Sequence, residues 1–242
     1  MGIVMQKPTV FIAAGGTGGH IYPALALVGK FEQDMQVVWL GTNRAVENTI
    51  LADTPWPTHT IAVKPFRGAL WWRLPLAFAS LSWAFIQTAW YFIRARPSFV
   101  VVTGGYVGFT AGVCAALMRI PLCVCEQNQR AGWTNRLLAP LARFIFTAYP
   151  RVFTAYEAKV ATFGNPLREA IIDHHKIKMQ QQYIPLQQKP RILVLGGSQG
   201  AKALNTLLPI IFVENRKILE DRKRILDWWN QSGGEVVSRE FW

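Results

Sequence analysis

Val10-Phe11-Ile12-Ala13-Ala14-Gly15-Gly16-Thr17-Gly18-Gly19-His20 is the stretch on which the fold turns. Its first half is an unbroken apolar run without alternation, the pattern of a strand buried on both faces of a parallel sheet. The glycines that follow let the backbone turn sharply and approach a ligand, because no Cβ obstructs either. Ile21 to Lys30, with Pro23 in its first turn, reads as a helix. Strand, glycine turn and helix N-terminus together expose unpaired N–H groups suited to an anion such as a phosphate. The glycine spacing is not the dinucleotide G-x-G-x-x-G, and His20 adds a titratable group beside the turn.

Outward from this unit the pattern repeats. Val37–Gly41, Thr60–Val63, Phe99–Gly105, Pro121–Glu126 and Phe144–Ala148 read as further strands, with a helix from about Val107 to Met118. Strands interleaved with helices predict an α/β domain on a parallel sheet, and ligands of such sheets bind outside the carboxyl ends of the strands. Gly15–Gly19, Gly104-Gly105 and Glu126–Asn128 all fall on that edge. A second cycle opens at Arg191–Leu195, repeats the glycine device at Gly196-Gly197-Ser198-Gln199-Gly200, and continues in a helix from Ala201 to Leu208. The polar stretch from Asp173 to Lys189 separates two Rossmann-like halves.

Of the 242 residues, 51% are hydrophobic and 17% charged, which excludes a disordered chain. Cys114, Cys123 and Cys125 are too few and too clustered for a disulfide framework and lack metal-ligand spacing, so they read as buried thiols. No secretory signal is visible in Met1–Pro8, and a cytosolic setting is expected. The net charge of +12 suits nucleic acid, an anionic membrane or phosphorylated small molecules. The basic residues Arg216, Lys217, Arg222, Lys223 and Arg224 read as a solvated helix face rather than a nucleic-acid patch, and no nucleic-acid partner is expected. Phe66 to Ile93 stands apart: Leu70, Trp71, Trp72, Arg73, Leu76 and Phe78 open a segment rich in Trp, Leu and Phe. It reads either as a buried helix with an exposed loop or as a patch that docks on an anionic leaflet. Ser80, Ser82, Gln87 and Thr88 recur along it and disfavour a transmembrane span.

Five motifs in order carry a resemblance. Gly15-Gly16-Thr17-Gly18-Gly19-His20-Ile21-Tyr22-Pro23, Gly104-Gly105-Tyr106-Val107, Glu126-Gln127-Asn128 with Gly132-Trp133-Thr134-Asn135-Arg136-Leu137, Gly164-Asn165-Pro166-Leu167-Arg168 and Gly196–Ala201 resemble the signatures of the MurG family of glycosyltransferases. The resemblance implies a GT-B fold of two Rossmann-like domains: an acceptor and membrane domain over residues 1–168 and a donor-nucleotide domain from 169 to 242. It implies inverting transfer of N-acetylglucosamine from UDP-N-acetylglucosamine to lipid I, giving lipid II, without metal or cofactor, at the cytoplasmic side of the inner membrane. Other cell-wall synthesis proteins are implied partners. Thr17, Gly18, Gly19, Asn128, Arg168, Ser198 and Gln199 would contact the nucleotide sugar; Gly15, Gly16, Gly104, Gly105 and Tyr106 would hold the acceptor diphosphate. Such a reaction needs a base at the acceptor hydroxyl. His20 is the first candidate, since its ordinary pKa of about 6.5 suits proton transfer near neutrality; Glu126 is the rival.

One departure lies near the C-terminus. Asn230 stands where the family segment usually has His, and the chain reaches Trp242 soon after. The second domain is therefore expected to be incomplete, the chain a C-terminally truncated member of its family. Two functions then compete: a membrane-associated glycosyltransferase, and a non-catalytic fragment that docks on a membrane or a cell-wall partner. A nicotinamide oxidoreductase lacks its glycine spacing here.

Overall fold

A computed structural model describes residues 7–62, 74–169, 171–173, 204 and 206–208. The chain divides into two compact units, Met1–Lys176 and Ile177–Trp242. In the second unit Leu204 and residues 206–208 are helical; the expected strand at 191–195, the turn at 196–200 and the basic run at 216–224 lie outside the described residues.

The first unit is built on a seven-stranded, wholly parallel sheet. Its strands are β1 (Thr9–Ala13), β2 (Gln36–Gly41), β3 (Thr58–Thr60), β4 (Phe99–Val102), β5 (Leu122–Glu126), β6 (Phe144–Thr147) and β7 (Val160–Thr162), in the order β3-β2-β1-β4-β5-β6-β7. The helices are α1 (Gly18–Phe31), α2 (Ala45–Leu51), α3 (Leu74–Ala95), α4 (Gly105–Leu117) and α5 (Trp133–Leu138). The central strands are fully buried because both sheet faces carry apolar layers. One layer joins Phe11, Leu40, Val100, Val124 and Ile145 to Phe92 of α3, Ala111 of α4 and Leu138 of α5. The other joins Val10, Ile12, Trp39 and Val101 to Ile21, Ala24 and Val28 of α1.

Several expectations shift in detail. The third strand runs over Thr58–Thr60 rather than 60–63, because Thr58 pairs with Trp39 and Thr60 with Gly41. The helix after the first turn begins at Gly18, three residues before the expected Ile21. Strand β7 was not expected; it is short, and none of its residues is buried. All three thiols are free and buried, and burial pushes Cys114 and Cys123 up to about 11 and Cys125 up to about 12.

The aromatic segment is one long helix where it is described. Its start at Leu74 leaves Leu70, Trp71, Trp72 and Arg73 outside the described residues. Ala84, Thr88 and Phe92 of α3 face the core, while Leu76, Trp83, Ile86, Trp90 and Ile93 form an exposed stripe at helical spacing, with Phe78 also exposed. Thr88 satisfies its hydroxyl on the Ala84 carbonyl, and Ser80 and Gln87 tie the helix to Ala62 beyond β3. No helix among the described residues is long and apolar enough to cross a membrane.

Candidate functional site

Strand order reverses direction between β1 and β4: the chain winds outward to β2 and β3, then crosses to β4. The carboxyl ends of strands flanking such a reversal diverge and leave a crevice. Both ends carry a glycine pair, Gly15-Gly16 after β1 and Gly104-Gly105 after β4. Beside them α1 opens at Gly18 with Thr17 as its extended N-cap residue. The Thr17 carbonyl accepts the N–H groups of His20 and Ile21, no side chain caps the helix, and no acidic residue occupies its first turn. The positive end of a 14-residue helix thus faces the crevice.

His20 is fixed from two directions. Thr103, directly after β4, donates its hydroxyl to the His20 carbonyl at 3.0 Å. The imidazole lies against Gly104: a Cβ there would stand 2.7 Å from Cε1, and the backbone holds φ +122°. Position 104 therefore requires glycine on both steric and conformational grounds. Burial lowers the pKa of His20 below 6.5, while the Thr103 backbone and the Glu126 carboxylate pull it part of the way back. Its Nδ1 is buried without a hydrogen-bond partner among the described residues.

A cavity of about 520 Å³ opens here. It brings together His20, Gly104, Gly105, Tyr106, Glu126 and Asn128, and its far wall is the start of α5 at Gly132–Asn135. Glu126 closes β5 and is only 3% exposed. One oxygen accepts the Asn128 backbone and side-chain amides at 3.0 and 2.9 Å; the other accepts Gly132 N–H at 2.8 Å and Asn135 Nδ2 at 2.9 Å. Its four bonds fold the 127–132 loop onto the head of α5. Thr134 completes the wall by donating to the Gly105 carbonyl at 3.0 Å.

The remaining candidates are distributed around this centre. Gly15, Gly16 and Thr17 form the turn, and Gly18 and Gly19 the first residues of α1. Arg168 is exposed, its guanidinium 4.8 Å from the ring centroid of Tyr22, one turn into α1. The adjacent Glu169 pairs with Lys30 at the other end of the same helix. Leu76 and Phe78 lie on α3, outside the cavity lining. Ser198 and Gln199 lie outside the described residues. Thr103, Thr134 and Asn135 had been given no role from sequence. A polar residue directly after a buried strand, as at Thr103, was the available signal.

A parallel sheet with glycine turns at its crossover places the first unit in the Rossmann-like class of α/β domains, and the fold is that of a GT-B N-terminal domain. The glycosyltransferase family 28 N-terminal domain matches residues 10–147, and the chain belongs to that family. A UDP-N-acetylglucosamine--N-acetylmuramyl-(pentapeptide) pyrophosphoryl-undecaprenol N-acetylglucosamine transferase of Pseudomonas putida is 42% identical over 206 residues, covering 84% of this chain and 55% of the relative. The protein of the same name from Coxiella burnetii is 39% identical over 198 residues, covering 81% and 54%. Among solved structures, that of Acinetobacter baumannii MurG superposes with a TM-score of 0.63 at 33% identity, covering 84% of this chain and 56% of that one. A putative UDP-N-acetylglucosamine 2-epimerase from Listeria monocytogenes, at 18% identity and a TM-score of 0.55, shares the fold. The chain spans about half the length of the curated relatives it matches.

Proposed function

We propose that this chain provides the acceptor side of a transferase that moves N-acetylglucosamine from UDP-N-acetylglucosamine to lipid I, giving lipid II with inversion at the anomeric carbon. Residues 1–168 form the acceptor and membrane domain in this reading, and the donor-nucleotide domain begins at 169. The observation that carries the reading is the half-buried His20 imidazole in a cavity bordered by the Gly104-Gly105 turn. The acceptor 4-hydroxyl attacks the anomeric carbon while neutral His20 takes its proton. The bond from that carbon to the diphosphate breaks, and UDP leaves with the electron pair. The N–H groups at the head of α1 and the Arg168 guanidinium offset the anionic charge. Tyr106 and the glycine pairs border the acceptor diphosphate, and the nucleotide sugar meets Thr17, Gly18, Gly19 and Asn128. With its four hydrogen bonds taken up by Asn128, Gly132 and Asn135, Glu126 is a scaffold in this reading and His20 the base.

The exposed stripe on α3 suits a peripheral seat on an anionic inner leaflet, where the lipid acceptor resides. Arg94, stacked 4.6 Å from the Trp90 ring, places a cation beside an interfacial aromatic.

The test is transfer of labelled N-acetylglucosamine by the 242-residue chain to a lipid I analogue, with binding of the analogue measured separately. Transfer that is lost in His20→Asn supports the reading. Binding without transfer gives the chain a docking role instead, and neither binding nor transfer overturns the reading.

A further inference from the structure

Glu47 takes no part in the chemistry above, yet it is among the most buried side chains of the domain, 1% exposed. It belongs to the first turn of α2 and folds back toward the strand ends. Its carboxylate accepts the Thr42 N–H at 2.8 and 3.1 Å and the Thr42 hydroxyl at 2.9 Å. The Gly16 N–H and the Arg44 guanidinium also favour its charged form, against a burial that raises its pKa. Two glycines make room for it: a Cβ at Gly41, the end of β2, would stand 1.4 Å from Oε1, and one at Gly15 would stand 3.0 Å from Oε2. The end of β2 and the turn after β1 thus both lack a side chain around a single carboxylate.

A lone buried carboxylate is costly, and an apolar side chain of similar volume would fill the same space at less cost. What the carboxylate adds is a charged group, held by Thr42 of the β2–α2 loop, that reaches the turn at Gly15-Gly16 and lies against Gly15. On its other side the turn meets the head of α4, since a Cβ on Gly105 would lie 3.3 Å from the Gly15 carbonyl oxygen. We propose that Glu47 is a positioning residue for the ligand site, fixing the Gly15-Gly16 peptides so that the head of α1 and the His20 imidazole face the cavity. This inference rests on the reading of the glycine turn as the ligand site.

The test compares the 242-residue chain with Glu47→Gln, which is nearly isosteric, and with Glu47→Ala. Two signals are followed by NMR: titration of the His20 imidazole, and binding of inorganic pyrophosphate read at the amides of residues 15–20. In the native chain His20 titrates below 6.5. In both variants its titration moves up toward 6.5 as the turn loosens, and pyrophosphate binding weakens by about tenfold. A purely structural role would lower the melting temperature and leave both signals unchanged. Native values of both in Glu47→Gln, or in Glu47→Ala below its melting range, overturn the inference. Failure of the native chain to bind pyrophosphate overturns the ligand-site reading instead, while the His20 titration still reports on Glu47.

Discussion

His20 owes its environment to the residue it leans on. Because Gly104 is both short of space and at positive φ, Gly104→Ala forces the imidazole aside. Transfer by that variant is expected to fall about a hundredfold, read as kcat against KM in the lipid I assay. Burial holds the His20 pKa below 6.5, so the neutral imidazole persists below that pH. The acid limb of the kcat/KM profile should therefore lie below 6.5 and vanish in His20→Asn. The same shift sets a stability trend. Between the lowered folded pKa and 6.5 the unfolded chain binds more protons, so the contribution is complete above 6.5 and declines as pH falls. Glu126 makes a different expectation. A Gln there presents an NH2 group to N–H donors that now meet carboxylate oxygens, and Glu126→Gln should cost about 1–3 kcal/mol in thermal denaturation. Sequence brought both residues forward, since a polar group ending a buried strand at the ligand edge has few other reasons to be there. It did not show how Glu126 is held, because its partners include Gly132 and Asn135, whose folding back across the loop is a tertiary event.

At the scale of elements, the buried strands were legible where apolar runs were continuous, as in β1, β2, β4 and β5, each covered on both faces. The edges were not. Strand β3 is three polar residues at the rim and β7 has no buried position, so neighbours rather than pattern define them. Helix α2 escaped notice for a related reason: it is seven residues long and buries only Glu47 and Leu51. Helix packing supplies a paired prediction. A Cβ on Gly112 of α4 would lie 2.5 Å from Leu138 Cδ1 in a fully buried contact with α5, so Gly112→Ala should destabilise by about 1–3 kcal/mol. Gly29 of α1 has nothing within 4 Å of the same added atom, and Gly29→Ala should stabilise by about 0.5–1 kcal/mol in the same melts. On α3, replacing Trp83 and Trp90 with Glu should abolish flotation with anionic vesicles if the stripe seats the domain there, and leave the melting temperature nearly unchanged because both rings are exposed.

For the molecule as a whole, the order of strands places His20, Gly104-Gly105, Glu126 and Asn128 along one edge, a consequence of topology that no single motif contains. The sheet also divides the core in two, and each half holds a thiol: Cys114 on one face, Cys123 and Cys125 on the other. With their pKa values pushed to about 11 or 12, native thiols at pH 8 should react with an alkylating probe about a hundredfold or more slowly than free cysteine. Labelling along a denaturant series then reports when each layer opens, and coincident transitions would mark the sheet as one cooperative unit. The fit between Gly41 and Glu47 carries a consequence for substitution as well. A methyl group at position 41 would stand 1.4 Å from Oε1, so alanine there displaces the Glu47 carboxylate from its place beside Thr42. The two positions are therefore coupled: a change at 41 is felt at 47, and glutamate at 47 keeps its seat only while 41 stays glycine.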